Sequence, residues 1–158
     1  MNRLLAVALT LCFALPAAAD DRLVRFDGGI GVIPTGSANT VTRGVPAAGQ
    51  NWVIARLTAD IRIDGRILVD GRGLLLGAGN NVGTNGGQSV RARLFCGATG
   101  NGDAFDSATV PLEPNGDFRI EGEVASQTVS LPSVCERPVL LILNGGGTAW
   151  FAAGIPKL

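Results

Sequence analysis

The chain has 158 residues and carries 13 basic and 13 acidic side chains, so its formal net charge is zero. This balance gives none of the long-range attraction that draws proteins to nucleic acid or to anionic membranes. The sequence contains no histidine. Serine–histidine and cysteine–histidine nucleophiles and histidine-containing zinc sites are therefore excluded. We expect no catalytic residue, no cofactor, no bound metal and no nucleic-acid partner.

The first nineteen residues have the layout of a cleavable secretory signal peptide. Arg3 supplies a positive charge, Leu4 to Leu15 is apolar, and Ala17-Ala18-Ala19 offers small residues for cleavage. The apolar run is too short to span a membrane. Cys12 lies inside this run, in a context that does not fit lipoprotein acylation. We predict that residues 20–158 form one domain, which is exported to the periplasm or the medium.

Alternation of apolar and polar residues predicts strands along most of the remaining chain. A first strand is predicted around Leu23 to Ile33. Val53 to Ile63 alternates without interruption and is followed by Asp64-Gly65, a sequence typical of tight hairpin turns. Residues 67–76 are predicted to form the return strand.

The same pattern recurs in the second half. Val90 to Cys96 alternates, and Val110 to Val124 is predicted to form a hairpin around Pro114-Asn115-Gly116. Val139 to Leu143 and Thr148 to Ala153 are two more strands, connected through three glycines. No segment has a helical period. We predict an all-β antiparallel sandwich of about eight short strands, immunoglobulin-like in its general layout, with a small barrel as the alternative.

Two cysteines, Cys96 and Cys135, remain after the signal peptide is removed. In an oxidising compartment only one pairing is possible, so we predict a disulfide between them. The alternative is a reactive thiol pair, which would need a C-x-x-C spacing or an activating base nearby. The sequence shows neither feature, and a structural disulfide is favoured.

Two loops are rich in glycine and asparagine. Gly77 to Gln88 misses the spacing of dinucleotide-binding loops by one residue and has no helix after it, so we interpret it as a strand connection. Gly97 to Asp106 carries Asn101, Asp103 and Asp106, whose oxygen atoms are suitable calcium ligands. The EF-hand spacing is absent, and we favour turn capping over calcium binding for these side chains.

Charged residues on the predicted strands allow two interpretations. Asp60, Asp64 and Asp70, or Glu121 and Glu123, offer the carboxylate pair of a glycosidase, but the chain has little aromatic surface for stacking sugars. The outward arginines of the strands form either a basic patch for a carboxylate or sulfated partner, or a set of ion pairs with acids on neighbouring strands. We favour the ion pairs.

Apolar continuity is the last feature. Val139 to Leu143 does not alternate, and Trp150-Phe151 directs two rings to opposite sides of a strand. Either these strands are central and covered by loops, or an apolar surface is exposed for a partner. We favour the exposed surface, and therefore a structural or protein-interaction module, or self-association, in place of an enzyme. The alternative is a small-ligand or carbohydrate-binding domain that uses the two loops and the tryptophans. Candidate contact residues are Trp52, Arg56, Arg91, Arg93, Trp150 and Phe151.

Overall fold

The computed structural model describes residues 21–34, 41–98 and 100–157. The predicted signal peptide, including Cys12, lies outside the described residues. The described ranges contain thirteen strands and no helix. The strands are β1 (Arg22–Gly31), β2 (Val41–Thr42), β3 (Val45–Pro46), β4 (Trp52–Val53), β5 (Arg56–Arg62), β6 (Arg66–Arg72), β7 (Leu75–Leu76), β8 (Ser89–Cys96), β9 (Asp103–Asp106), β10 (Val110–Pro111), β11 (Phe118–Glu123), β12 (Val139–Asn144) and β13 (Trp150–Pro156).

Nine strands form one antiparallel sheet. Eight of them follow the order β10-β8-β12-β13-β1-β5-β6-β11, and β9 pairs with β8. The sheet curls so strongly that Asp106 in β9 exchanges two backbone hydrogen bonds, of 2.8 and 3.0 Å, with Ala125 just beyond β11. The predicted all-β antiparallel fold is confirmed. The choice between sandwich and small barrel stays a prediction, because one curled sheet with two small additional sheets is compatible with both.

The predicted hairpin over residues 53–76 is present, but both of its strands are interrupted. Arg56 lies opposite Arg72 in the β5–β6 pair, and Trp52 lies opposite Leu76 in the β4–β7 pair, so the register is the same in both. Between the two pairs, Gly73 has a φ of 62°. This left-handed conformation suits glycine and ends β6, which is why β4 and β7 form a separate small sheet.

The core is formed by alternate residues of the long strands. Leu57, Ala59, Ile61, Ile67, Val69, Val90, Ala92, Leu94, Phe118 and Ile120 are all buried. Strand β12 departs from this pattern, because Leu140, Leu141, Ile142 and Leu143 are each fully buried. Both faces of β12 are therefore covered by protein.

Residues 41–48, here called the crossing segment, account for this cover. At one end, the Ala48 N–H donates to the Trp150 carbonyl at 3.0 Å, beside β13. At the other end, the Arg43 guanidinium donates to the carbonyls of Gly97 at 3.1 Å and Arg137 at 2.7 Å, next to β8 and β12. Strands β13 and β8 flank β12 on opposite sides. The segment is thus anchored on both sides of β12, and its Val45 and Ala48 side chains are buried.

The predicted disulfide is confirmed. Cys96, the last residue of β8, is bonded to Cys135, and their Cα atoms are 4.8 Å apart. Cys135 belongs to the long connection between β11 and β12. The bond therefore anchors this connection beside the Arg43 contacts to Gly97 and Arg137.

Candidate functional site

A pocket of about 360 Å³ lies where β4 and β7 meet the turn that joins β12 to β13. We call it the loop-end pocket. Its floor is apolar and consists of Trp52, Leu76 and Phe151. Its rim carries the amide side chains of Gln50, Asn81, Gln88 and Asn144. The volume falls at the lower end of the range that is usual for small-molecule sites.

The floor of the loop-end pocket is a stacked aromatic pair. The ring centroids of Trp52 and Phe151 are 4.1 Å apart with an interplanar angle of 23°. The backbone of Val32 holds both residues, since its carbonyl accepts from the Trp52 N–H at 2.9 Å and its N–H donates to the Phe151 carbonyl at 2.8 Å. Each ring is 4% exposed. The pair is therefore a rigid apolar base for the pocket.

The rim amides differ in how far they are already engaged. The Asn144 side-chain oxygen accepts from the backbone N–H groups of Thr148 at 2.8 Å and Ala149 at 3.2 Å. Gln88 donates only a long hydrogen bond, 3.3 Å, within its own loop. The side chains of Gln50 and Asn81 are exposed and make no hydrogen bond to the described residues. Donors and acceptors are thus available at the pocket mouth.

The glycine-rich loop from Gly77 to Gln88 forms one wall. Two backbone hydrogen bonds join the loop to β7. The Leu76 N–H donates to the Thr84 carbonyl at 2.9 Å, and the Gly83 N–H donates to the Leu76 carbonyl at 2.8 Å. The Asn85 side chain donates to the Leu112 carbonyl at 2.8 Å. The described lining of the pocket includes no charged side chain. The wall therefore offers backbone and amide groups in place of the cations that hold a phosphate.

The structure divides the predicted contact residues into two groups. Trp52 and Phe151 come together in the loop-end pocket. Trp150 is 8% exposed, does not line this pocket, and has an indole nitrogen without a hydrogen-bond partner among the described residues. Arg91 and Arg93 lie on β8 beside Asp106. Arg56 is exposed on β5, away from both places.

Ion pairs neutralise much of the charge on β5, β6 and β11. Arg72 donates to both carboxylate oxygens of Asp70 at 2.8 Å and to Asp117 at 3.0 Å. These hydrogen bonds hold the pKa of both carboxyl groups below the usual range and raise the pKa of the guanidinium. Asp60 and Asp64 are likewise paired, with Arg22 and Arg66. The outward faces are therefore mixed in charge, and Asp60, Asp64 and Asp70, one of the two carboxylate sets considered for a glycosidase, are each bound by an arginine.

The calcium alternative has little structural support. The Asp106 carboxylate is bound by the Arg93 guanidinium, with one N···O distance of 2.7 Å. Within residues 21–34, 41–98 and 100–157, no three cysteine or acidic side chains gather as a metal site would require.

The expectation of an exposed apolar surface at Val139 to Leu143 and at Trp150-Phe151 is wrong. Residues 140–143 are fully buried, and both aromatic residues are at least nine-tenths buried. The crossing segment, which sequence patterns did not identify, supplies the missing cover. The one sequence feature that indicated such a segment is the absence of alternation in Val139 to Leu143.

No protein-family model, curated protein or solved structure matches this chain. The described parts of the chain contain no helix that is long and apolar enough to cross a membrane.

Proposed function

We propose that the chain is an exported, non-catalytic binding module that takes a small, uncharged polar ligand in the loop-end pocket, such as a single sugar unit. The observation that carries this proposal is the combination of an aromatic floor with a rim of amides. The signal-like residues 1–19 support export, and the Cys96–Cys135 disulfide fits an oxidising compartment.

The chemistry of the lining selects the class of ligand. A charged ligand would lose hydration in this pocket without meeting an opposite charge, which is costly. Each amide side chain offers both donors and an acceptor, a combination that suits hydroxyl groups. Gln50 and Asn81 have no competing side-chain hydrogen bonds among the described residues.

The shape of the pocket limits the size of the ligand. A volume of about 360 Å³ fits a small molecule or one unit of a longer glycan. The stacked rings of Trp52 and Phe151 are largely covered, so they provide apolar contact below the ligand and not a broad stacking platform. Hydrogen bonds from the rim therefore carry the specificity.

The first prediction from the sequence, a structural or protein-interaction module, stays a prediction. The apolar residues that suggested it are buried, as described above. The protein-interaction prediction depended on an exposed apolar surface formed by these residues. The loop-end pocket therefore favours the ligand-binding alternative.

Titration of the purified protein with glucose, galactose and N-acetylglucosamine, followed by tryptophan fluorescence, tests this proposal. We expect a saturable change with at least one sugar, because Trp52 forms the pocket floor. Asn81→Ala and Gln88→Ala should each weaken binding by about tenfold, which corresponds to the loss of one well-placed hydrogen bond.

Asn80→Ala is the matched control, since Asn80 is an exposed amide in the same loop that does not line the pocket. Its affinity should equal that of the unmodified protein. Absence of a saturable change with all three sugars, or equal weakening by the Asn80 and Asn81 variants, would contradict the proposal.

A further inference from the structure

A second cavity, of about 430 Å³, lies on the outer side of β8 and β9. It is lined by Arg91, Ala104 and Asp106 of these two strands and by residues 125–128, which follow β11 and begin beside Asp106. We call it the Arg91 cavity. It shares no lining residue with the loop-end pocket. The two cavities are therefore separate sites with different chemistry.

Two guanidinium groups share one carboxylate at the base of this cavity. Arg93 binds Asp106 through both Nε and Nη2, the latter at 2.7 Å from Oδ2. The Arg91 Nη1 is 3.7 Å from the same Oδ2, which is beyond hydrogen-bond distance. Because Arg93 already satisfies Asp106, the group of three side chains retains one positive charge at Arg91.

Arg91 is also unsatisfied as a hydrogen-bond donor. A guanidinium group has five N–H donors, and none of those of Arg91 bonds to an acceptor among the described residues. Its Nε is fully buried. The side chain as a whole is 28% exposed, and Arg91 lines the cavity. Such a group binds an anion with little rearrangement of the protein.

Residues 126–128 of the lining add neutral donors. The hydroxyl groups of Ser126 and Thr128 are 3.3 Å apart, and the Thr128 N–H reaches the Ser126 hydroxyl only at 3.4 Å. Neither hydroxyl bonds to Arg91 or Asp106. The Gln127 amide lies between these two residues in the chain and also lines the cavity. The lining thus takes donors from two separate segments of the chain, β8 and residues 126–128.

We propose that the Arg91 cavity binds a tetrahedral oxyanion, a sulfate or phosphate group, which Arg91 holds by charge and the Ser126 and Thr128 hydroxyls hold by hydrogen bonds. A tetrahedral anion has enough oxygens for donors from several groups, whereas a planar carboxylate pairs with one guanidinium edge. Its source is either the free ion or a sulfate ester of a sugar, since both present the same oxygens.

The test is an NMR titration of the ¹⁵N-labelled protein with sodium sulfate and separately with N-acetylglucosamine 6-sulfate, at ionic strength held constant with sodium chloride. We expect saturable shifts of the Arg91, Ser126 and Thr128 amides. Equal affinity for the two probes indicates the free ion as the source, and tighter binding of the ester indicates the sugar. In both cases Arg91→Gln should weaken binding by at least about tenfold.

Two further variants keep the test independent of folding. Arg119→Gln removes an exposed arginine that pairs with Asp70 and Glu121 outside the cavity, and it should bind as the unmodified protein does. Ser126→Ala combined with Thr128→Ala alters only the connecting loop and should weaken binding about threefold or more. Shifts that do not saturate, or equal affinity in the Arg91 and Arg119 variants, would overturn the proposal. Because the shifts are read at residues 91 and 126–128, the outcome is independent of the loop-end pocket.

Discussion

Leu68 and Leu141 occupy equivalent outward positions in the sheet, yet their surroundings are opposite. Leu68 lies on β6 between Asp60 and Glu121 of the adjacent strands and is 39% exposed. Leu141 lies on β12 between Arg93 and Ala153 and is fully buried. The difference shows that a strand without polar alternation in an antiparallel sheet need not be exposed to a binding partner. Its outer face can be covered by another segment of the same chain.

The part of the sheet around β12, here called the covered side, differs from the part formed by β5, β6 and β11, here called the uncovered side. The two sides differ in the interactions that stabilise their outer surfaces. On the uncovered side, arginines of β1, β6 and β11 pair with acids of the same strand or of a neighbouring strand. On the covered side, the crossing segment and the disulfide hold the outer layer in place. The loop-end pocket lies where this cover ends, since Ala48, Gly49 and Gln50 contribute to its lining.

Removal of the disulfide is expected to have the largest effect on the covered side. Cys96→Ala combined with Cys135→Ala opens a loop of 39 residues and should lower the free energy of unfolding by about 4 kcal/mol in the chain-entropy model. Urea denaturation followed by fluorescence measures the change. A loss below about 1 kcal/mol would show that the long connection is held by other contacts.

The two leucines provide the direct comparison of the two sides. Leu141→Ala should cost about 3 kcal/mol, because it leaves a cavity between the sheet and the covering layer. Leu68→Ala should cost less than about 1 kcal/mol, since the side chain is already partly in water. The same denaturation experiment measures both, and equal costs would mean that β12 is not covered on its outer face.

Substitution of Arg43 tests how much the anchoring of the crossing segment contributes to stability. Its guanidinium donates to the carbonyls of Gly97, Gly100 and Arg137. Arg43→Ala should lower the free energy of unfolding by about 1–2 kcal/mol, whereas Arg62→Ala, which removes only an exposed ion pair with Asp21, should cost less than about 0.5 kcal/mol. If the free energy of unfolding falls equally in the Arg62 and Arg43 variants, the hydrogen bonds of Arg43 contribute no more to stability than an exposed ion pair.

The smallest expected effect concerns the ion pairs of the uncovered side. The pKa of Asp117 is lowered by its hydrogen bonds from Arg72 and from the Gly73 N–H. A carboxylate with a lowered pKa stabilises the fold above its unfolded pKa of about 4, and this contribution disappears as the pH falls through the folded pKa. Asp117→Asn should therefore lower the melting temperature by a few degrees at neutral pH and by less at about pH 3. If Asp117→Asn lowered the melting temperature by the same amount at both pH values, the ionised Asp117 carboxylate would not be the stabilising group.

The sequence predicted the local features well. Alternation identified β5, β6 and β8, the hairpin turn at Gly65 has the positive φ that its glycine suggested, and two cysteines allowed one pairing. These features depend on neighbouring residues or on simple counting. The predicted hairpin around Gly116 is wrong, because β10 pairs with β8 and β11 pairs with β6. The stacking of Trp52 on Phe151 and the crossing of β12 by residues 41–48 were not predicted, because they join segments that are distant in the chain and have no periodic pattern.

The two tryptophans offer the most direct test of the proposed function. Trp52 lines the loop-end pocket and Trp150 does not, so their indole N–H signals distinguish binding in the pocket from binding elsewhere. In an NMR titration with the sugar that gives the strongest fluorescence change, we predict that the Trp52 signal shifts and saturates while the Trp150 signal moves much less. A saturating shift of Trp150 alone, or no shift of either indole, would contradict the assignment of the loop-end pocket as the binding site.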